Sequence, residues 1–332
     1  MPSRRDTLKI LSATAVGLAF SGVKAAPAAG KKVDFGQIKG LSPELLSQSK
    51  LYRVSKNPSF LDPDLTGKPW ELEVSGLVER TLTLSLEQLK TYPSVKLINT
   101  LTCISNPVGG NLLGCMEWQG VPVKTILDEA KVKGAAKYLV WEAADGFIES
   151  LPLSELPKEA LLAYMVDGEP LQPMHGYPLR ILIPGRYGMK QPKWLTRISL
   201  SAEEVDGYWA ERGWSRTAVI AAMSRFDVPQ QNQTLSAGKE TLLAGIAYAG
   251  GRTIEKVEVS LDGGKTWNAA QTRPPRSKFA WIQWAYPWTP KAGSYTLKVR
   301  ATEVGGRVQT SVARDALPEA ASGHHTLTVK VS

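Results

Sequence analysis

The sequence predicts an α+β protein in which a mixed α/β part precedes an all-β sandwich. Three observations support this class. Strand-like and helix-like runs alternate as far as about residue 215, and only strand-like runs follow. The composition, 43% hydrophobic and 21% charged over 332 residues, is that of a globular protein with room for two cores or one large core.

Residues 1–29 are predicted to be an export signal. Arg4 and Arg5 precede a mildly apolar run over residues 11–23, which is too short to predict a membrane-spanning helix, and small residues follow around Ala25. The paired arginines resemble the twin-arginine signal of proteins that fold, often around a cofactor, before they cross the membrane. A plain secretory signal is the alternative, and either signal predicts a periplasmic mature protein.

The net charge is positive and narrows the classes of partner. Part of the formal charge of +9 comes from the predicted signal, and the remainder suits an anionic ligand or partner. No stripe of lysine and arginine alternates with aromatic residues, and no nucleic-acid-binding motif is present. The sequence therefore does not predict a nucleic-acid partner.

The first folded part is predicted over residues 30–215. Residues 30–60 show little periodicity and are expected to form an irregular arm. Alternating apolar residues over 70–78 predict a strand, and near-continuous apolar runs predict strands that are buried on both faces. The other runs predict a strand that passes into a short helix over 82–93, a helix over 122–132, and buried strands over 136–144 and 178–185.

The second folded part is predicted over residues 216–332. Short strand-like runs recur there, separated by glycine, aspartate and proline turns. Asp262-Gly263-Gly264 is a hairpin-turn signal, since glycine tolerates the positive φ that such turns require. Five strand runs without helices predict an antiparallel sandwich of immunoglobulin type. These runs cover residues 240–251, 254–270, 279–290, 293–306 and 324–332.

One of the two cysteines, Cys103, lies in a turn, where its thiol can be available to bind a metal. Cys103 follows a strand-like run and lies in the Gly-rich turn over residues 101–110. A thiolate is a soft ligand suited to redox metals, and the other ligands of such a metal can come from a cofactor. A structural zinc site is not predicted, because it needs four clustered Cys or His ligands and the chain has three histidines. A disulfide between Cys103 and Cys115 is the alternative, and His324 and His325 are expected at a solvated strand end.

A second motif concentrates positive charge between residues 174 and 198. Glycines and prolines in this segment fix irregular backbone at the ends of a buried strand, so its cationic side chains could converge on a phosphate or another anion. No Walker loop or dinucleotide fingerprint is present, which favours an anion held by side chains. A basic surface loop with one core histidine is the alternative. The side chains concerned are His175, Arg180, Arg186, Lys190, Lys193 and Arg197.

Together these motifs resemble the sulfite oxidase family of molybdenum-pterin oxidoreductases. The resemblance rests on LTCISN, the Trp118-Gln119-Gly120-Val121 stretch, EPLQPMHGYPLRILIPGRYG, KWLTRI and YWAERGWS, and it runs from about residue 50 to the C-terminus. It implies a mixed α/β molybdopterin-binding domain over residues 30–215 and an immunoglobulin-like domain over 216–332. It also implies a cofactor of one molybdenum and one pterin, and a homodimer that forms through the second domain.

The resemblance assigns roles to individual residues. Cys103 is implied to be the protein thiolate on the molybdenum, and so the metal ligand and a catalytic residue. Arg53 lies in the stretch that crosses over the cofactor, and it is a candidate for both the pterin and the substrate pocket. The cofactor-binding residues implied are Tyr52, Arg53, Ser55, Cys103, Asp145, His175, Arg180 and Lys193.

Two departures from the family pattern concern the substrate. Sulfite-oxidising members follow the Cys-x-x-Asn turn with an arginine that helps bind the substrate anion, whereas Asn106 is followed here by the uncharged residues 107–110. Losing one arginine from such a site costs on the order of 1.5 to 3 kcal/mol. Sulfite is then expected to bind weakly unless Arg53, Arg186 or Lys190 compensates.

The second departure concerns the active-site tyrosine of the family. This tyrosine aligns near Trp214, and Tyr187 and Tyr208 are candidate replacements.

The expected function is that of a periplasmic molybdenum enzyme that transfers an oxygen atom to or from a small anionic or oxo substrate. Sulfite oxidation to sulfate is the first hypothesis, and reduction of S-oxides or N-oxides is the alternative that a less cationic pocket favours. No Cys-x-x-Cys-His haem site is present, so no haem is expected and electrons should pass to an external c-type or membrane cytochrome. A non-enzymatic binding or scaffold protein with a vestigial cofactor domain is the third hypothesis.

Overall fold

Four β-sheets account for most of the regular structure in residues 32–332, the part of the chain that the computed structural model describes. Two short α-helices and several 3-10 helices connect the strands. The predicted export signal over residues 1–29 lies outside the described residues. No helix within the described range is long and apolar enough to cross a membrane.

Two of the sheets build the region before residue 202. Its strands are β1 (Glu71–Gly76), β2 (Leu82–Ser85), β3 (Val95–Thr102), β4 (Leu113–Pro122), β5 (Tyr138–Ala143), β6 (Ile148–Pro152), β7 (Leu161–Val166), β8 (Glu169–Pro170), β9 (Arg180–Leu182) and β10 (Leu195–Ser201). One sheet has the order β2-β1-β10-β5-β6, and the other has the order β3-β4-β7-β8 with β9 beside β7. Side chains from both sheets share one core that includes Leu72, Trp141, Leu162 and Ile198.

The α-helices α1 (Leu86–Lys90) and α2 (Val123–Ala130) begin where the sequence predicted helices. Ser85 and Gln88 form a capping box at the start of α1. Val123, Ile126 and Ala130 are spaced so that one face of α2 enters the core. These helices have only five and eight residues, so the region predicted as mixed α/β is mostly β. The reason is that most neighbouring strands are antiparallel, and such pairs need only short connections.

The other two sheets follow residue 222. Their strands are β11 (Met223–Val228), β12 (Thr234–Leu235), β13 (Thr241–Tyr248), β14 (Ile254–Ser260), β15 (Asn268–Ala269), β16 (Gln271–Arg273), β17 (Ile282–Trp288), β18 (Gly293–Glu303) and β19 (His325–Val331). The sheet orders are β11-β13-β17-β16 and β12-β19-β18-β14-β15. The two sheets share a core that includes Leu243, Val257, Trp284 and Val299. One pair, β12 with β19, is parallel, and the immunoglobulin-type topology stays a prediction.

The hairpin predicted at Asp262 is confirmed. It joins β14 to β15, and Gly263 and Gly264 have φ values of 78° and 101°. The Asp262 carboxylate accepts hydrogen bonds from the backbone amides of Lys265 and Thr266, which holds the turn.

The two pairs of sheets meet in a continuous apolar junction. Ile104 and Tyr187 from the first region pack in one cluster with Ile220 and Trp281 from the second. The backbone amide of Thr100 also donates to the carbonyl of Phe279 across this junction, at 2.8 Å. The turn after β3, which carries Cys103, is therefore built against the second region.

A buried ion pair holds the segment after β9 against β6. Lys190 Nζ donates to Glu149 Oε1 at 2.7 Å and to the carbonyl of Ser150 at 3.0 Å. The two side chains are 4% and 1% exposed, and Glu149 Oε2 has no partner among the described residues. Burial raises the pKa of the Glu149 carboxyl, and Lys190 opposes that rise. The pair therefore ties the segment after β9 to β6.

We expect Lys190→Met to lower the free energy of unfolding by about 3 to 5 kcal/mol, because it leaves the Glu149 carboxylate buried without its counterion. Urea denaturation followed by tryptophan fluorescence measures this loss. Lys124→Met is the matched control, since it breaks an exposed pair with Asp128, with side chains 69% and 63% exposed. That control should cost less than about 1 kcal/mol, and equal losses in the two variants would contradict the prediction.

Candidate active site

One pocket opens beside the turn after β3, between the irregular arm and the segment that follows β9. It is lined by residues from five segments that are far apart in sequence: the arm, the β3 turn, the turn between β5 and β6, the stretch between residues 174 and 194, and the segment after β10. All eight residues that the sequence predicted for the site line this pocket, namely Tyr52, Arg53, Ser55, Cys103, Asp145, His175, Arg180 and Lys193. Their individual roles stay predictions.

Cys103 is the first residue after β3, and its turn has a defined backbone. The Cys103 amide donates to the carbonyl of Leu112 at 2.9 Å, and its carbonyl accepts from the Asn106 amide at 3.2 Å. Asn106 Oδ1 in turn accepts from the Leu112 amide at 2.9 Å. The thiol of Cys103 lies 3.0 Å from Ser105 Oγ and is free.

The disulfide alternative is not supported. Both cysteines are free, and Cys115 is fully buried within β4. Burial raises the pKa of the Cys115 thiol to about 11, so it behaves as an inert core residue.

The basic end of the pocket is built around Arg180, the first residue of β9. Its guanidinium donates to the carbonyls of His175 and Gln191 at 3.1 and 3.2 Å, and it lies 5.2 Å from the centre of the Trp118 ring. Arg180 is 4% exposed, and no carboxylate in residues 32–332 forms an ion pair with it. Burial lowers the pKa of Arg180 to about 10. Arg180 Nε and His175 Nε2 are buried without partners among the described residues.

Lys193 adds a second cation to this end. Its Nζ donates to Ser55 Oγ at 2.7 Å and to the carbonyl of Met174 at 3.3 Å, and it lies 3.8 Å from Asp62 Oδ2. Burial lowers the pKa of Lys193 to about 8, while Asp62 opposes that change. Gly176 has a φ of 109°, and a Cβ there would lie 3.0 Å from the Cβ of Lys193, so only glycine suits this position.

Arg53 lines the pocket, but its charge is already paired. Its guanidinium donates to Asp62 Oδ2 at 2.7 and 3.1 Å and to the Ser59 carbonyl at 2.6 Å. Ser55 Oγ donates to the same carboxylate oxygen at 2.7 Å. Asp62 thus organises the arm, and Arg53 would have to exchange these contacts to hold a substrate anion. Sequence reasoning missed Asp62, which lies in an irregular segment without a motif.

Tyr52 and Asp145, the other two predicted cofactor-binding residues, have different surroundings in the pocket. Burial raises the pKa of the Tyr52 hydroxyl, and the nearby Arg180 opposes that rise. A Cβ on Gly188 would lie 3.1 Å from this hydroxyl, so a glycine at 188 leaves room for the phenol. Asp145 Oδ1 accepts from the backbone amide of Phe147 at 3.0 Å and so shapes the turn between β5 and β6.

The rest of the pocket wall is apolar and aromatic. Phe147, Trp209, Trp214, Ile104 and Met189 line it. The Trp214 amide donates to the Trp209 carbonyl at 3.1 Å, which closes a tight turn and presents both indoles on the same wall. Sequence reasoning found Trp214 but missed Trp209 and Phe147, although the aromatic content of YWAERGWS could have indicated such a wall.

The two tyrosines considered as replacements do not line the pocket. Tyr187 is 6% exposed, and its hydroxyl accepts from the Ala221 amide at 3.2 Å. Tyr208 lies beside Phe147 with ring centres 5.9 Å apart, and the Arg212 guanidinium lies over its ring. Of the three residues considered for the position of the family tyrosine, only Trp214 lines the pocket.

The uncharged turn residues also lie elsewhere. Pro107, Val108 and Gly109 line a separate small cavity at the junction of the two regions, together with Tyr187 and Gln309. Ser105 lines the first pocket and Asn106 lines this second cavity, so residues adjacent in sequence face different cavities.

Two of the cations that could compensate for the missing substrate arginine, Lys190 and Arg186, form ion pairs away from the pocket. Lys190 is committed to Glu149, and Arg186 donates to Glu155 Oε2 at 2.6 Å and to the Thr217 carbonyl at 2.8 Å. Neither side chain lines the pocket. Of the three cations that could compensate for the missing arginine, Arg186 and Lys190 are therefore not placed to do so, and Arg53 remains. Lys56, which sequence reasoning missed, lines the pocket and lies 5.3 Å from the ring centre of Tyr208.

The histidine pair near the C-terminus lies at the start of β19, as expected, and both residues are half-buried. His325 Nδ1 accepts from the Phe226 amide at 3.0 Å, and its ring lies directly against Gly109 of the Cys103 turn. His324 packs edge to face on Trp267, with ring centres 5.3 Å apart. The expected solvation is therefore only partial, because both rings pack against other parts of the second region or the turn.

We expect the protein to lose stability in acid because of two histidines, His175 and His325. Burial and nearby arginines lower the pKa of His175 and of His325 to about 4. An unfolded histidine titrates near about 6.5, so between these values the unfolded chain binds more protons than the folded chain. The free energy of unfolding of the cofactor-free protein should therefore fall as the pH falls from about 7 to about 4.

Urea denaturation at about pH 7 and about pH 5 measures this effect. His325→Gln should reduce the difference between the two pH values, and the comparison of variant with parent removes the contribution of the carboxylates. An unchanged pH dependence in His325→Gln would contradict the assignment.

The donor set fits an anionic metal cofactor. The basic end supplies two buried nitrogen atoms without partners among the described residues, Nε of the cationic Arg180 and Nε2 of His175, which suit a phosphate, and Cys103 supplies a free soft ligand in the same pocket. No group of three or more His, Cys, Asp or Glu in the described residues could hold a metal ion by itself. A metal at Cys103 would therefore take its other ligands from the cofactor.

Comparisons with known proteins match two family descriptions. Residues 60–209 match the oxidoreductase molybdopterin binding domain, and residues 217–317 match the Mo-co oxidoreductase dimerisation domain. The chain is 28% identical to mitochondrial sulfite oxidase of Homo sapiens, with 80% of this chain and 58% of that protein covered. It is 38% identical to the uncharacterized oxidoreductase YuiH of Bacillus subtilis (strain 168), with 44% and 72% covered.

Similarity extends to other oxidoreductases. The chain is 29% identical to nitrate reductase [NAD(P)H] of Hordeum vulgare, with 64% of this chain and 30% of that protein covered. The crystal structure of the sulfane dehydrogenase SoxCD from Paracoccus pantotrophus is 26% identical, with a TM-score of 0.71 and 79% and 75% of the two chains covered. The chain spans about half the length of the sulfite oxidases that it matches.

Proposed function

The chain belongs to the sulfite oxidase family of molybdopterin oxidoreductases, and from that premise we propose that it oxidises sulfite to sulfate in the periplasm. The molybdopterin-binding domain implies a molybdenum-molybdopterin cofactor. When bound, this group supplies a metal centre that exchanges an oxygen atom and two electrons. The balanced reaction converts sulfite and water into sulfate, two protons and two electrons.

The observation that carries the proposal is a free thiol in the same pocket as a buried arginine, Arg180, whose Nε lacks a partner among the described residues. Cys103 would ligate the metal, since its thiolate is soft and its turn is fixed by backbone hydrogen bonds. Arg180 and His175 would hold the phosphate and pterin at the basic end, and Lys193 would add positive charge there. Tyr52 and Ser55 would complete the pterin side, and Asp62 keeps Lys193 and Arg53 in place.

We propose that the aromatic wall of the pocket excludes bulk water from the place where sulfite would bind. Trp209, Trp214 and Phe147 present apolar surface beside Cys103. A pocket with few water molecules strengthens electrostatic interactions at the reacting atoms. Lys56 and Arg53 are the cations that line the pocket outside the proposed phosphate site, so they are the candidates for orienting sulfite.

The electrons must leave the protein after each turnover. We propose a c-type or membrane cytochrome as the external acceptor, because the sequence has no Cys-x-x-Cys-His haem attachment site. The matched dimerisation domain supports a homodimer, and we propose that residues 216–332 form an immunoglobulin-like domain. The twin-arginine pattern at Arg4 and Arg5 supports export to the periplasm, which fractionation of cells that carry an Arg4→Lys/Arg5→Lys variant would test.

A second candidate function is reduction of an S-oxide or N-oxide. The supporting observation is the aromatic wall, which suits a neutral substrate with apolar substituents better than a small dianion. In that direction two electrons and two protons enter, and the products are the sulfide or amine and water.

One sample tests both candidates. Molybdenum and pterin are measured per chain in protein from a molybdate-fed host, and the same protein is assayed with sulfite and an artificial acceptor. It is also assayed with a sulfoxide, an N-oxide and nitrate, each with a reduced dye. Molybdenum near one per chain with sulfite turnover supports the proposal, and turnover only with the reduced dye supports the second candidate. Protein that lacks molybdenum would support the scaffold hypothesis.

A further inference from the structure

The Cys103 sulfur has one side-chain hydrogen-bond partner among the described residues, the hydroxyl of Ser105. The two atoms lie 3.0 Å apart, and the Ser105 hydroxyl has no other hydrogen-bond partner within residues 32–332. In a free thiol either atom can donate. Once the sulfur is a metal-bound thiolate, it carries no proton, so only the hydroxyl can donate.

From this contact we infer that Ser105 donates a hydrogen bond to the metal-bound sulfur of Cys103 and sets the reduction potential of the metal. The inference rests on the proposed cofactor site. Ser105 acts through the ligand and is therefore a positioning residue.

The turn holds Ser105 in place from both sides. On the side of the first region, the Cys103 amide and carbonyl are bound to Leu112 and Asn106. On the side of the second region, Arg225 Nη1 donates to the Gly110 carbonyl at 2.5 Å, and the His325 ring lies against Gly109. The Arg225 guanidinium is itself fixed by Asp227 and Ser42, at 2.9 and 3.0 Å. A turn fixed at both ends keeps the hydroxyl near the sulfur without a further contact.

The hydrogen bond from Ser105 is expected to raise the reduction potential of the metal. A hydrogen bond to a ligating sulfur withdraws electron density from it, and hydrogen bonds to sulfur ligands are among the factors that set metal potentials. Without the hydroxyl the thiolate donates more strongly, which favours the oxidised metal. The reduction potential should then fall, and electron uptake from the substrate should become less favourable.

Ser105→Ala tests the inference, because it removes the hydroxyl and little else. Its molybdenum content should equal that of the parent, the midpoint potential from redox titration followed by electron paramagnetic resonance should shift lower, and kcat should change more than KM. Ser105→Thr, which keeps a hydroxyl, should restore the potential toward the parent value.

Ser277→Ala is the matched control. Its hydroxyl donates to the Ile98 carbonyl at 2.6 Å and does not line the pocket, so its removal should leave the potential unchanged. An unchanged potential in a fully loaded Ser105→Ala protein would overturn the inference while leaving the proposed function intact. A parent protein without molybdenum would overturn both. Loss of metal from Ser105→Ala alone would contradict the expected parent-like molybdenum content and would overturn the inference that the hydroxyl acts on the potential.

Discussion

Cys103→Ser should abolish turnover while the fold stays intact. The serine hydroxyl is a hard donor that is not ionised near neutral pH, so it cannot replace a soft thiolate on a redox metal. The side chain is 9% exposed and lies in a turn whose hydrogen bonds are made by the backbone and by Asn106, so the substitution should leave those bonds in place. Activity with the preferred substrate, near-ultraviolet circular dichroism and the urea midpoint measure the two effects separately.

Cys115→Ala is the matched control for this variant. Cys115 is the other buried free cysteine, and it packs in the junction core away from the pocket. Its loss should lower the free energy of unfolding by about 1 kcal/mol or more without loss of metal. Retained turnover in Cys103→Ser would exclude this cysteine as the catalytic ligand.

Arg180→Ala should strongly weaken retention of the cofactor. A charge-assisted hydrogen bond contributes about 1.5 to 3 kcal/mol, which corresponds to roughly ten- to a hundredfold in affinity. Arg180→Lys should restore only part of this, because lysine keeps the charge but cannot reproduce the fork of the guanidinium. Molybdenum and pterin content after extensive dialysis is the measurement.

The control must separate cofactor loss from unfolding. Arg186→Ala removes an arginine from the same segment, but that side chain pairs with Glu155 and does not line the pocket. It should keep the cofactor. Full molybdenum content in Arg180→Ala would mean that the phosphate lies elsewhere, and the unfolding midpoint of each cofactor-free variant shows whether the fold survived.

Strands and short helices could be predicted because their signals are local. The alternation over residues 70–78 marks β1, and the apolar spacing over 122–132 marks α2. The scarcity of helix could not be predicted this way, since it depends on which strands become neighbours. The arm is a further example, because it is held by distant contacts such as the one from the Gln172 amide to Gln48 Oε1 at 2.5 Å.

The candidate site likewise contains residues that local motifs predict and residues that only distant contacts bring together. Cys103, His175 and Arg180 lie in dense motifs, so a resemblance to a family could assign them roles. Asp62, Lys56 and Trp209 have no motif, and only folding of the arm and of the segment after β10 brings them to the pocket. The residues that follow Asn106 misled the sequence analysis for a different reason. A turn can place consecutive residues against different cavities, and residues 107–109 line the second cavity and not the candidate site.

The contact between the Cys103 turn and His325 of β19 also bears on the order of events during synthesis. Well over half of the sequence separates these two residues, so a nascent chain exposes the turn that carries Cys103 long before it can make the strand that supports it. Domains that fold in order from the N-terminus would leave this turn unfinished until β19 has left the ribosome. Loading with the cofactor is therefore expected as a late, post-translational event, and pulse-labelled chains should acquire molybdenum only after they are complete.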